Sequence, residues 1–530
     1  MEEKTKITKA TLRAYIMIAV LGLIWVYFHW ATDGIFLTPR NLSNLMTQMS
    51  VTAILAVGML MVIVSANIDL SVGAVLGFAG GIAAYAVTVL DYGLPVTIIA
   101  AIVVGVVIGV FHGALTAYLN IPAFIVTLGG LLAWRGAVKW LLGGNTIPIS
   151  NETFKAIGQG NVPPNIGWIL AIIAIVGAIF MVVRRLQQEK TYSIQLAEHE
   201  TRVTTIVVGL IVSVLGLISF ALPWIGVSIL STDIFQVTGY TFATGLTIAG
   251  VSVGGSPVFW IFPFSMLAVC LSTSTSLLQE KFKSICIYSL VVCGAVSSML
   301  MIYFVISERG YTVSYRIGSY LAFLCSLLVL AIGLYAVISV TYLEDNDPKL
   351  SIEKLTKFFI PICAILGFIF IMNSYQGIPV PVIIFATIAL LGVFVTNLTT
   401  FGRYLYAIGG NADAARLSGI NNKRNIVKVY ALLGALTGVA ALIFTARVGS
   451  AAPDAGVLKE LDAIAACVIG GASLRGGRGT IFGACLGALI MASLDNGMSL
   501  LNVRDFMQDI IKGSILVAAV GLDMAGRRQT

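Results

Sequence analysis

Three stretches of this chain combine residue types that could do chemistry. The first is Val62-Ile-Val-Ser-Ala-Asn-Ile-Asp-Leu-Ser-Val-Gly73, where Asn67, Asp69 and Ser71 interrupt two apolar runs. A carboxylate flanked by short polar side chains can hold the hydroxyls of a solute, and Asp69 or Ser71 can cap a helix that starts near Val72. An Asp at the centre of a bilayer costs about 2.5–3.5 kcal/mol on insertion scales, so it persists where it caps a helix or meets a water-filled cavity. The second stretch is the polar loop from Thr400 to Asn421, which contains Gly409, Gly410, Asn411, Asp413, Ala414, Ala415, Leu417, Ser418, Gly419 and Ile420. Asn411 or Asp413 can cap a short helix ending near Gly419. Ala414, Ala415, Leu417 and Ile420 give that helix a small, partly apolar face, fit for a groove in another protein or for an amphipathic turn on a membrane surface. The third is the glycine-rich Lys459–Thr480 segment, in which "GGASLRGGRGT" follows an apolar run. It lacks the Lys-Ser/Thr pair that completes a phosphate loop, so its glycines are read as packing short helices closely.

Other chemistries find little support. The three histidines, His29, His112 and His199, are scattered without metal-ligand spacing. The seven cysteines lie in apolar stretches with no CxxC, which argues against a disulfide framework or a metal centre. No nucleophile–base pair stands out, so no catalytic residue, metal or cofactor is expected. Asp495 and Asn496 are placed near the outer end of a span, where water would solvate them. Asn67, Asp69, Ser71 and Asn496 are the candidate pathway residues. His112 is expected as a polar group near a helix end, Arg135 and Lys139 as snorkelling cations, and Trp25, Trp30 and Trp134 as part of an aromatic belt.

The elements that carry these residues must sit in lipid. Of 530 residues, 58% are hydrophobic and 11% charged, with a mean hydropathy of +0.97. A soluble domain carries roughly a quarter of its residues charged. The net charge of +8 resides in short loops between apolar runs, which is the positive-inside pattern and not a nucleic-acid footprint. With the basic N-terminus in the cytoplasm, runs at 14–30, 48–66, 71–90, 96–119, 123–142 and 166–183 return the chain to that side at Arg184-Arg185. The run at 14–30 is read as a retained span, not a removed signal peptide. Further runs at 203–222, 257–278, 284–306, 317–340, 358–373, 380–399, 429–446, 480–497 and 507–524, with a short one at 462–474, give an all-α polytopic bundle of roughly 14–16 spans. The 462–474 run is short enough to be re-entrant. This count puts the 400–425 loop, with Arg403, Arg416, Lys423 and Arg424, in the cytoplasm.

Taken together, "VIVSANIDLSVG", "IPAFIVTLGGLLAWRG", "FGRYLYAIGGNADAARLSGI", "ELDAIAACVIGGASLRGGRGTIFG" and "LDNGMSLL" resemble the permease subunit of bacterial monosaccharide ABC importers. The branch is the ribose, galactose and xylose one, with xylose permeases the best match. The resemblance implies a dimeric channel in the bacterial plasma membrane, importing xylose or a related sugar. It also implies a separate cytoplasmic ABC ATPase that grips the loop at Gly409–Ile420, and an extracytoplasmic sugar-binding protein. On this reading residues 1–13 are a cytoplasmic N-terminal segment, 14–190 and 355–530 form the two halves of the core, and 191–354 is an insertion of about four helices with no recognised counterpart. Rival readings are an ion-coupled secondary sugar transporter, which would need ionisable residues inside the bundle, and a membrane-embedded enzyme.

Overall fold

The computed structural model describes residues 9–163 and 367–527, with short pieces between them at 166–167, 170, 223–229, 232–238, 246–248, 251–253, 262–267, 293, 313–315 and 365. The chain divides into two compact units, 1–162 with 378–530, and 163–377. The segment expected as an insertion, 191–354, lies within the second. The spans expected at 166–183, 203–222, 257–278, 284–306 and 317–340 fall wholly or largely outside the described residues. In the second unit, the stretch between the runs expected at 203–222 and 257–278 contains β-structure. Pro223–Ile229 pairs antiparallel with Thr232–Thr238 and with Val313–Tyr315, and Leu246–Ile248 pairs with Val251–Val253.

The first unit is a helical bundle with the predicted element order. It comprises α1 Lys9–Ala31, α2 Pro39–Val64, α3 Val72–Thr88, α4 Leu94–Tyr118, α5 Ala123–Leu142 and a short α6 Glu152–Gln159. After the second unit follow α7 Val380–Leu398, α8 Thr400–Gly410, α9 Ala412–Leu417, α10 Asn422–Val448, α11 Lys459–Ile469, α12 Ile481–Leu500 and α13 Asp505–Arg527. Six of these, α2, α4, α5, α7, α10 and α12, are long and apolar enough to cross a membrane. Two two-residue antiparallel ladders tie the halves together. They join β1 Ile147–Pro148 to β4 Ser450–Ala451, and β2 Asn161–Val162 to β3 Ile378–Pro379.

α2 is the central rod. Pro39 starts it with the fixed φ that suits a first turn, and the Thr38 hydroxyl accepts from Asn41 N at 3.4 Å. A helix that is apolar all round belongs inside, and nearly all of α2 from Met49 to Val64 is buried. α4 and α10 meet through small residues. Gly105, Gly109 and Gly113 recur every four residues along one face of α4, and a Cβ at any of them would collide with the α10 backbone at Gly434, Tyr430 or Val427. The same holds in reverse, since a Cβ at Gly434 would strike the Gly105 carbonyl oxygen. Without a hydrophobic drive between helices in lipid, such backbone contact supplies the dispersion that holds them.

The short run expected at 462–474 is α11, only 11 residues long. At 1.5 Å per residue it spans about 16 Å, half of a hydrocarbon core, as expected for a half-helix. It packs antiparallel on α12, where Gly470 faces Gly483 and Ala466 faces Gly487. Ion pairs pin its first turn. Lys459 Nζ lies 2.6 Å from Asp462 Oδ2, and Lys512 of α13 bridges Asp462 at 3.7 Å and Asp495 at 2.7 Å.

Replacing Gly434 with Ala is expected to destabilise the bundle by about 1–3 kcal/mol, because the backbone of α4 must retreat. Gly22→Ala on α1, where a Cβ meets open space, is expected to be neutral or slightly stabilising. Thermal unfolding of the two detergent-purified variants checks the contrast.

Candidate functional site

The break between α2 and α3 is where polar chemistry concentrates. α2 ends at Val64 with Ser65 as its cap residue, and Ala66 takes a left-handed φ of 62°. Ser71 is the N-cap residue of α3, but its hydroxyl does not cap that helix. The carboxylate of Asp69 does the work instead, accepting from Ser71 N at 2.7 Å and from Ser71 Oγ at 2.6 Å. Asp69 and Ser71 are buried, at 3% and 1% exposure. Asn67 is half-buried and turns back, donating to the Ser65 carbonyl at 2.9 Å.

Two residues that sequence reasoning assigned elsewhere complete the cluster. His112, expected near a helix end, is buried on α4 with Nδ1 3.3 Å from Ser71 Oγ. Trp134, expected in an aromatic belt, stacks on Phe78 and sends its indole N–H inward to His112 Nε2 at 3.1 Å. The partners fix the proton positions. Indole N–H can only donate, so His112 Nε2 accepts, and a neutral ring carries its proton on Nδ1. That N–H then donates to Ser71 Oγ, and the Ser71 hydroxyl donates to Asp69. One tautomer satisfies the whole chain, with every donor pointing toward the carboxylate. A narrow cleft beside it is lined by Asp69, Ser71, His112, Tyr430 and Thr437, with Gly105, Gly109 and Gly434 forming its floor.

Several expectations are corrected by their neighbours. Asn496 is buried, not solvated, and far from this cluster in contacts. It exchanges two hydrogen bonds with Asn41, at 2.8 and 3.1 Å, locking α12 to the start of α2. Trp25 likewise leaves the aromatic belt and donates to Ser493 Oγ at 2.9 Å. Arg135 does not snorkel outward but donates to the Ala455 carbonyl at 3.0 Å, near Glu460, which is buried in the first turn of α11. Trp30, at 77% exposure, and Lys139 do face outward.

The loop expected as a docking knob forms an elbow of two short helices, α8 and α9. Thr399 caps α8 by accepting from Gly402 N, and Asn411 caps α9 by accepting from Asp413 N and Ala414 N, both at 3.0 Å. Gly419, at φ 84°, closes the turn, and Asn422 Nδ2 ties back to the Ala412 carbonyl at 2.7 Å. The apolar face expected on α9 is split. Ala415 is buried, Ile420 is half-buried, and Ala414, Ser418 and Leu417 point outward, Leu417 with 83% exposure. Gly410, Asn411 and Gly419 are exposed as well. Gly409 is buried because its Cα lies against the Val64 carbonyl at the end of α2, where no Cβ fits. Gly477 N donates to that same carbonyl at 2.8 Å. The elbow, the glycine-rich loop and the α2 terminus that leads into the Asp69 break therefore meet at one oxygen.

A bundle of membrane-length helices with a polar break between two of them fits a membrane permease. The comparisons agree: the family described as branched-chain amino acid transport system / permease component matches residues 41–191 and 201–520, and the chain belongs to it. It is 35% identical to the xylose transport system permease protein of Haemophilus influenzae over 99% of both chains. To the xylose transport system permease protein of Escherichia coli K12 it is 33% identical, covering 98% of this chain and 93% of that one. The ribose import permease protein of Escherichia coli K12 is 47% identical, but over 28% of this chain and 46% of its own length. The middle segment, left without a counterpart in the sequence reading, lies within the match to both xylose permeases. No solved structure matches the chain.

Asp69→Ala leaves the Ser71 N–H and hydroxyl without their acceptor and is expected to cost about 1–3 kcal/mol, whereas Asp69→Asn keeps an acceptor oxygen and costs less. Thermal unfolding in detergent distinguishes them, and equal losses would show that the carboxylate is not the terminal acceptor.

Proposed function

We propose that this chain is the translocation subunit of an ATP-driven importer for xylose or a related monosaccharide, seated in a bacterial plasma membrane. The observation that carries the reading is similarity to two xylose transport permeases along almost the whole chain. The capped elbow at 400–425 supports it, because two short helices exposing Gly410, Ala414 and Leu417 offer small and apolar surface to a groove. In this account a cytoplasmic ABC ATPase grips the elbow through exposed Gly410, Asn411, Ala414, Leu417, Ser418 and Gly419 and half-buried Ile420, while buried Gly409 and Ala415 seat the elbow on the bundle. ATP is hydrolysed in that partner, and the permease works as a homodimer fed by an extracytoplasmic sugar-binding protein.

A neutral sugar needs hydroxyl partners and not fixed counter-charges. Asn67, Asp69 and Ser71 supply acceptors and donors at the α2–α3 break, and His112 and Thr437 add more along the cleft. Asn496, whose amide is taken by Asn41, is not carried forward as a pathway residue. The buried Asp69–Ser71–His112 chain also favours a second reading, an ion-coupled transporter that binds a proton there. The two readings part on energy source: collapse of the proton gradient at constant ATP stops uptake only under the second.

Gly410→Glu with Ala414→Glu is expected to abolish sugar-stimulated ATP hydrolysis by the assembled transporter while the chain still inserts and stays monodisperse. Normal stimulation in that double variant would overturn the docking role.

A further inference from the structure

The glycine-rich loop between α11 and α12 does more than pack short helices. Its backbone is tied at five points. Ser473 N donates to the Arg478 carbonyl at 3.0 Å, Gly476 N to the Ser473 carbonyl at 2.9 Å, and Arg475 N to Ser473 Oγ at 3.3 Å. Gly477 N holds the Val64 carbonyl, and the Tyr406 hydroxyl of α8 donates to the Gly479 carbonyl at 2.8 Å. Gly476 and Gly477, at φ 86° and 71°, lie against Gly409 and Gly410 with no room for side chains. The loop and the elbow are thus one continuous surface.

Two long cations project from this fixed backbone. Arg475 and Arg478 are exposed, and neither guanidinium has a hydrogen-bond or ion-pair partner among the described residues. The neighbouring elbow adds exposed Arg403, Arg416, Lys423, Arg424 and Lys428, with Asp413 as its lone acid, and Asp413 is already 3.5 Å from Arg416. A cation that merely greets lipid headgroups needs no rigid mount. A guanidinium held on a braced turn is pre-organised for fork-like pairing with a carboxylate. We infer that the loop Ser473–Gly479 is a second docking element for the cytoplasmic ATPase, with Arg475 and Arg478 engaging acidic side chains on the partner beside the groove that receives α9. This rests on the elbow being the ATPase site. It makes the docking surface bipartite: a small-residue knob for shape, and an arginine pair for charge and register.

The test uses the full-length permease in nanodiscs of phosphatidylcholine, titrated with its ATPase at several salt concentrations. Arg475→Glu with Arg478→Glu is expected to weaken binding by about tenfold or more and to flatten its salt dependence, with Arg475→Ala and Arg478→Ala intermediate. Because neither side chain has an internal partner among the described residues, all variants should elute and melt as the parent does. Parent-like affinity and salt dependence in the double Glu variant would overturn the inference. So would unchanged ATPase binding combined with lost binding of phosphatidylserine-containing vesicles, which would assign the arginines to headgroups. Failure of the unaltered permease to bind the ATPase would overturn the functional reading itself, and this inference with it.

Discussion

The carbonyl oxygen of Val64 is the joint on which this structure turns. A helix ending inside a membrane domain leaves its last carbonyls without intrahelical partners, and lipid offers none. Here one of them is satisfied by Gly477 N and covered by the Cα of Gly409. Both contacts require glycine, one for close approach and the other for a left-handed backbone as well. The elbow thus abuts the end of α2, and the next residues along the chain are the break that holds Asp69.

At that break one carboxylate serves two hydrogen-bonding needs. The carboxylate of Asp69 completes the start of α3 through Ser71 N, and it also terminates the hydrogen-bonded chain from Trp134 through His112 and Ser71. The cost of burying such a group is offset by multiple donors, and the orientation of every proton is set by the indole at the far end. A cleft lined this way can exchange hydrogen bonds with hydroxyls while the wall behind it stays braced. The glycine-packed α4–α10 contact forms the floor, and its lack of side chains is what lets the two backbones meet beside the cleft.

Much of the bundle was legible in the sequence because hydropathy and length fix where a chain must cross lipid. The predicted 123–142 and 380–399 runs coincide with α5 and α7 to within a residue, and the 462–474 run, read as short enough to be re-entrant, is a helix of 11 residues starting at Lys459. The cap at Asn411 was legible too, since it acts through its own immediate neighbours. What was hidden depends on which way a side chain faces across helices. An apolar run containing His112 reads the same whether the ring meets lipid or Ser71, and Trp25 and Trp134 look like belt residues until an acceptor is found on another helix. Asn496 beside Asp495 suggested a wet helix end, and only the distant Asn41 explains its burial. The β-pairing at 223–253 went unseen because its Gly, Ser and Thr content reads as a loop.

The claim at the centre is that this chain supplies a path and another polypeptide supplies the force. Uptake of radiolabelled xylose into proteoliposomes decides it most directly, with the purified permease reconstituted alone or together with its ATPase and binding protein. The account predicts accumulation only when all three proteins and ATP are present. Concentrative uptake by the permease alone, driven by an imposed ion gradient, would contradict it.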